Sequence, residues 1–137
     1  MADPPGMITR RSPHDALKTL RRLRAAIERA GLTVFADVDH RGNAVEVGLE
    51  LRPTRLLIFG DPRGGTPLMQ LGQTVGLDLP LKILVWEDPD GVAWLAYNDP
   101  RWMADRHALG PAAATAVAAI SSGLEKLAAA ATAPVSA

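Results

Sequence analysis

Residues 80–100, PLKILVWEDPDGVAWLAYNDP, constrain this chain more than any other stretch. Residues 81–88 and 92–98 are rich in Ile, Val, Leu, Trp and Tyr, side chains that suit a pleated, buried surface. Asp88-Pro89-Asp90-Gly91 lies between them. Proline presets φ for the first turn position, and Asp followed by Gly accepts the left-handed position that closes a short hairpin loop. Counting back from that turn sets Asp88 opposite Val92, Trp86 opposite Trp94, Leu84 opposite Ala96 and Lys82 opposite Asn98. These side chains share one face, because strand side chains alternate. The other face carries Leu81, Ile83, Val85, Ala93, Leu95 and Tyr97. A hairpin apolar on both sides has to be covered on both sides. The aliphatic face is expected to take the helices. The tryptophan face then needs a partner subunit, a bound ligand or the chain's own C-terminal segment.

The rest of the chain is read in order around this hairpin. Residues 7–11 are expected to form a short edge strand. Ser12 and Pro13 read as the N-cap and first position of a helix, followed by an apolar stripe of Leu17, Leu20, Leu23, Ile27 and Ala30 that ends at Gly31. Residues 32–39 predict a strand, 40–49 a short helix stopped by Pro53, and 55–59 (RLLIF) a central strand. The glycine turn Gly64-Gly65 then leads into a helix over 67–75 with Thr66 as its cap. That turn lacks both the Lys-Ser/Thr ending of a P-loop and the dinucleotide-binding glycine spacing, so it reads as a turn rather than a phosphate cradle. Asn98 or Asp99 caps a helix with Pro100 at its first position, running to His107. An alanine-rich helix follows, with a seam of Val117, Ile120, Leu124 and Leu127. The order β-α-β-α-β-α-β-β-α-α predicts an α+β fold: a two-layer sandwich, with a mixed or mainly antiparallel sheet of four or five strands and helices mainly on one face. The expected divisions are a loose leader over 1–6, one domain over 7–109, the C-terminal helix over 110–131 and a frayed tail over 132–137.

Composition removes several classes of function. The 137 residues suit one domain with a real core. Fifteen basic and fifteen acidic side chains cancel, so no overall attraction to nucleic acid or anionic membrane is implied. The basic side of the first helix, Lys18, Arg21, Arg22 and Arg29, therefore reads as a solvated face, and no nucleic-acid partner is expected. With no cysteine there is no disulfide and no thiolate chemistry. No apolar run reaches the ~20 residues that span a bilayer, and residues 1–13 lack the apolar segment of a signal peptide. The expectation is a cytoplasmic chain with no membrane partner.

The phrases GDPRGGTPLM (residues 60–69), LPLKILVWED (79–88) and YNDP (97–100), with residues 35–40 and Arg106-His107, resemble the bacterial family catalogued as domain of unknown function 302. The resemblance covers roughly residues 7–109. It implies a compact two-layer α+β domain, often dimeric, whose biochemical role is not established, and it transfers no catalytic residue. Two departures stand out. Many members of that family have Asn-Pro where this chain has Asp61-Pro62, and Leu-Pro-Cys-Arg where it has Leu79-Pro80-Leu81-Lys82.

Two functional readings follow. The favoured one is a non-enzymatic binding or assembly module, a homodimer with a small ligand near Trp86 and Trp94. Lys82, Asn98, Asp39 and His40 are the further ligand-binding candidates. No catalytic residue, metal ligand or cofactor is assigned in this reading. The alternative is a small enzyme or metal-dependent protein using Asp39, His40, Lys82 and Asp99, with His107 nearby, since acid–base chemistry wants a histidine held by a carboxylate and a metal wants three or more converging ligands. No H-x-x-x-H or nucleophile-elbow spacing supports a specific reaction.

Overall fold

The tight turn at Asp88 brings its two strands together in the register that the side-chain alternation implies. In the computed structural model, which describes residues 3–135, β4 (Leu81–Glu87) and β5 (Ala93–Asn98) pair antiparallel with Trp86 opposite Trp94 and Leu84 opposite Ala96. The Asp88 carboxylate accepts from the Asp90 and Val92 backbone N–H groups, and Gly91 takes φ +78°. Around this hairpin, β1 (Met7–Ser12) adds beside β5, while β3 (Thr54–Gly60) and β2 (Thr33–Asp39) add beside β4. The order is β1-β5-β4-β3-β2, and every pairing is antiparallel. Of the two expected forms, mixed or mainly antiparallel, the sheet takes the antiparallel one.

Two helices cover one face. In α1 (Ala16–Arg29), Leu20, Leu23 and Ile27 are buried against the sheet, each side chain contributing about 1.5–3 kcal/mol by its removal from water. In α5 (Ala114–Thr132), Leu124, Leu127, Ala128 and Ala131 join the same core, with Leu57, Phe59, Ile83, Val85 and Leu95 beneath. A smaller core lies between α5, α3 (Pro62–Leu71) and the 3-10 segment Gln73–Asp78, built on Leu68, Val75, Leu109 and Val117. The short helices α2 (His40–Glu46) and α4 (Pro100–Arg106) complete the chain, and α2 buries no residue.

Three local readings differ from the structure. Ser12 does not cap α1. It ends β1 opposite Ala93, and its buried hydroxyl lies 2.6 Å from the Thr19 hydroxyl, so Asp15 takes the cap, its carboxylate accepting from the Lys18 N–H. Leu17 is consequently exposed, and the apolar stripe starts at Ala16. Helix α3 begins at Pro62, capped by Asp61 rather than Thr66, because Asp-Pro directly after β3 is itself a cap and first helical position. Helix α5 runs to Thr132, one residue into the expected tail, where the Thr132 hydroxyl accepts from Arg10 Nε and donates to the Ala128 carbonyl. Likewise the Gly6 carbonyl accepts from Asp99 N–H within the expected leader. Residues 1–2 and 136–137 of the expected leader and tail lie outside the described residues.

One charged group sits between the layers. Asp37 accepts a forked pair from Arg55, at 3.0 and 2.8 Å, and a third bond from Arg24 on α1 at 3.1 Å. The Arg55 hydrogen bonds, joined by those of Arg24, hold the Asp37 carboxyl below the usual carboxylate range despite the opposing effect of burial. A lowered folded-state pKa gives stability that is present above the unfolded value of about 3.9 and is lost as pH falls through the folded value. Chemical denaturation below about pH 4 should therefore show a steeper loss of stability in the wild type than in Asp37→Asn. Parallel curves for the two proteins would rule this out.

Candidate functional site

Alternation along the five strands decides which surface is left over. Leu57, Ile83, Val85, Leu95 and Tyr97 point toward α1 and α5. The opposite face carries Val38, Leu56, Ile58, Leu84, Trp86 and Trp94, none of them fully buried, with Ala36, Thr54 and Ala96 between them. The helices of the main core, α1 and α5, lie on the other side of the sheet, and α2 touches it at β3. Trp86 and Trp94 stand side by side at one end of it, and the Trp94 indole N–H donates to Asp88 Oδ2 at 2.8 Å. That bond, with the backbone bonds from Val92 and Asp90, pulls the Asp88 carboxyl below its ordinary pKa.

Beside the same end of the sheet runs an apolar arm. After α2 the chain turns at Gly48 and runs without regular structure over residues 49–53, rejoining the sheet where the Glu87 N–H donates to the Pro53 carbonyl. Val45, Val47, Leu49 and Leu51 are exposed along it, by 63%, 72%, 64% and 44%. The sequence reading recognised α2 and missed the arm, although the alternation of Leu49-Glu50-Leu51-Arg52 is a period-2 signal that could have found it.

The other candidate residues divide between the two ends of the sheet. Lys82 and Asn98 are on the open face at the end away from the tryptophans, and Lys82 Nζ donates to the Pro80 carbonyl at 3.2 Å. Asp39 ends β2 opposite Arg55, in the row that faces the helices, and caps α2 through the Gly42 N–H. Strand spacing and rise put it roughly 14 Å from Lys82 and 17 Å from Asn98. His40 is exposed at the start of α2 and Asp99 caps α4. Asp39, His40, Lys82 and Asp99 are therefore not brought together. His107 has a different carboxylate, Asp78, 2.5 Å from its Nε2, while its Nδ1 lies 2.9 Å from the Thr74 hydroxyl. Asp78 also accepts from Arg106 Nη1 at 2.8 Å. The group ties α4 to the 3-10 segment, and it lines neither the cavity beside Gly60 and Gly123 nor the one beside Pro13 and Gly91. Among the described residues no group of three or more His, Asp or Glu side chains stands close enough to hold a metal ion.

A second surface, on the helix side, was not anticipated. A cleft of about 530 Å³ opens between α3 and α5. Its floor is Leu124 and Leu127 of α5 with Leu81 of β4, and its walls include Met69, Leu79 and Pro80. Leu32 and Phe35 close one end. Gly60, Gly64, Gly65, Gly76 and Gly123 also line it. The segment 60–69 that reads as a glycine turn is thus one wall of a cavity. Its facing wall is 60 residues away in sequence, which no local pattern reports.

With fold and surfaces established, likeness to other proteins can be stated. The family "Domain of unknown function DUF302" matches residues 8–127, and this chain belongs to it. Its fold matches the crystal structure of an uncharacterized conserved DUF302 protein from Bacillus stearothermophilus. The TM-score is 0.79 at 20% identity, over 90% of this chain and 96% of that one. The chain is 47% identical over 118 residues to a protein of Brucella suis biovar 1 named "Fluoride-specific ion channel FluC 1", covering 86% of this chain and 46% of that protein. A Brucella abortus biovar 1 protein of the same name is equally similar, with 44% of its length covered. This chain thus spans less than half the length of these relatives.

Proposed function

We propose that this chain is a non-enzymatic assembly domain that works as a homodimer, joined through the open face of its sheet. The observation that carries the reading is the row of Val38, Leu56, Ile58, Leu84, Trp86 and Trp94 on the face opposite α1 and α5, none of them fully buried. Magnitude favours a second copy as the cover. Five strands at their usual spacing present a footprint of roughly 400 Å², about half of what one partner contributes to a stable interface. The exposed arm at Val45, Val47, Leu49 and Leu51 supplies apolar area toward the remainder. An isologous pairing meets both requirements with one patch, because each copy brings the same face and the same arm. The tryptophans are then interface anchors, the residue type that dominates such contacts. Sedimentation equilibrium at micromolar concentration should give twice the protomer mass of 14.5 kDa. A single protomer at that concentration overturns the reading.

The Brucella relatives suggest the setting. A channel must cross the bilayer with its backbone groups satisfied, by helices of about 20 apolar residues or by a closed barrel. No helix among the described residues is long and apolar enough to cross a membrane. The segment of those relatives that resembles this chain is read as a domain appended to the channel, and the same domain here as a regulator or scaffold for such a channel. Fluoride efflux from liposomes holding the Brucella suis protein should change when its segment matching this chain is deleted, and this chain, added to the deleted form, should restore it. Unaltered efflux in all three samples excludes the role.

A further inference from the structure

We infer that the cleft between α3 and α5 is a binding site for a small, neutral, hydrocarbon-rich molecule of the isoprenoid or fused-ring aromatic kind. This is independent of the dimer reading, since the cleft lies on the helix side of the sheet and the dimer surface on the other.

The size and the lining define the ligand. About 530 Å³ falls within the range of cavities that take drug-sized molecules. The charged residue lining it is Asp61, and Asp61 is already committed: its carboxylate accepts from Arg63 Nη2 at 2.6 Å and from the Arg63 backbone N–H at 2.9 Å. No unpaired charge is left to meet an ionic ligand. The remaining walls are aliphatic side chains, Met69, Phe35, glycine backbone and one polar side chain, Thr66.

The glycines supply the second observation. Some glycines in this chain are sterically required: a Cβ on Gly6 would run into the Trp102 ring, and one on Gly72 into Leu109. Gly64 and Gly123 are different. Each lies inside a helix, where glycine is among the poorest residues, and neither has a positive φ. A Cβ on either would meet no atom within 4 Å. Neither folding nor packing calls for glycine at these positions, and a larger residue would fit the protein better. What their bareness does is hold the facing helix walls open. A site kept open against helix propensity is the signature of space reserved for something else.

Because Gly64 and Gly123 are free of contacts, filling the cleft and damaging the fold are separable. The probe is 1-aminoanthracene, a neutral fused-ring fluorophore whose emission rises in apolar surroundings. The wild type should bind it saturably, and farnesol should displace it. The anionic probe 8-anilinonaphthalene-1-sulfonate should bind at least tenfold more weakly. Gly123→Leu should lower affinity for 1-aminoanthracene at least tenfold while its thermal midpoint holds or rises. Ala119→Phe, at an exposed position lining the same wall, is the second variant should Gly123→Leu fail to fold, and it should act in the same way. Leu84→Glu, on the opposite face, should bind the probe as the wild type does. The inference is overturned if the wild type shows no saturable binding, if a folded cleft variant binds undiminished, or if the anionic probe binds as well as the neutral one. Loss of binding in Leu84→Glu alone would move the site to the dimer face and likewise overturn it.

Discussion

Leu84→Glu should leave a folded protein that sediments as a single protomer of 14.5 kDa. Leu84 is half-buried near the middle of the open face, flanked by Leu56 and Ala96 on neighbouring strands. In the isolated protomer a glutamate there reaches water, so the change is close to an ordinary surface substitution. In the paired state it carries an unpartnered carboxylate into an apolar contact. Such a charge costs about 3–5 kcal/mol, and a symmetric dimer acquires two. The expected weakening is on the order of ten-thousandfold or more in the dissociation constant. Trp94→Ala should weaken association less, through lost contact area and the lost indole bond to Asp88. Velocity sedimentation and circular dichroism on the same samples separate assembly from folding. A Leu84→Glu protein that stays at twice the protomer mass would show that the apolar face is not the interface.

Ending the chain at residue 110 should abolish cooperative folding altogether. The composition of residues 110–131, rich in alanine with a narrow apolar seam, suggests an appendage. The packing gives it a larger part. Leu124 and Leu127 sit in the main core with Leu23, Phe59 and Ile83, Val117 belongs to the smaller core with Leu68, and Ile120 packs against both. Removing Val117, Leu124 and Leu127 forfeits about 5–9 kcal/mol of burial, at about 1.5–3 kcal/mol for each side chain. Their partners on α1 and the sheet are exposed as well. A domain of this size has about 5–15 kcal/mol of stability in all. Thermal melting followed at 222 nm should show no transition for residues 1–110. A chain ending at 133, which keeps the Thr132 hydroxyl and the Ala133 carbonyl bonded to His14, should melt like the full chain. A sharp melt of the shorter form would show that the helix is dispensable.

The elements legible in advance are those set by neighbours in sequence. The register of β4 and β5 follows from a turn whose conformation Asp88-Pro89-Asp90-Gly91 dictates and from the strict alternation of strands, so Trp86 could be placed against Trp94 from spacing alone. The same is true of β1 as an edge strand and of the start of α4, whose cap, open between Asn98 and Asp99 in the sequence, is Asp99. Ser12 and Thr66 show the limit. Each is a sound cap by type, and each lost the role to an aspartate, Asp15 or Asp61, that the strand ends place at the helix start. Such competition is decided where strand pairing stops, which local propensity does not record.

Sequence by itself determined the α+β class and the two apolar faces of the hairpin, because periodicity and turn chemistry act over a few residues. Only the tertiary structure decided that Asp39 and Lys82 lie at opposite ends of the sheet, that His107 pairs with Asp78, and that Gly64 and Gly123 line one cleft. Those facts depend on where distant segments meet. That is settled by burial summed over the whole chain, a quantity no single stretch contains.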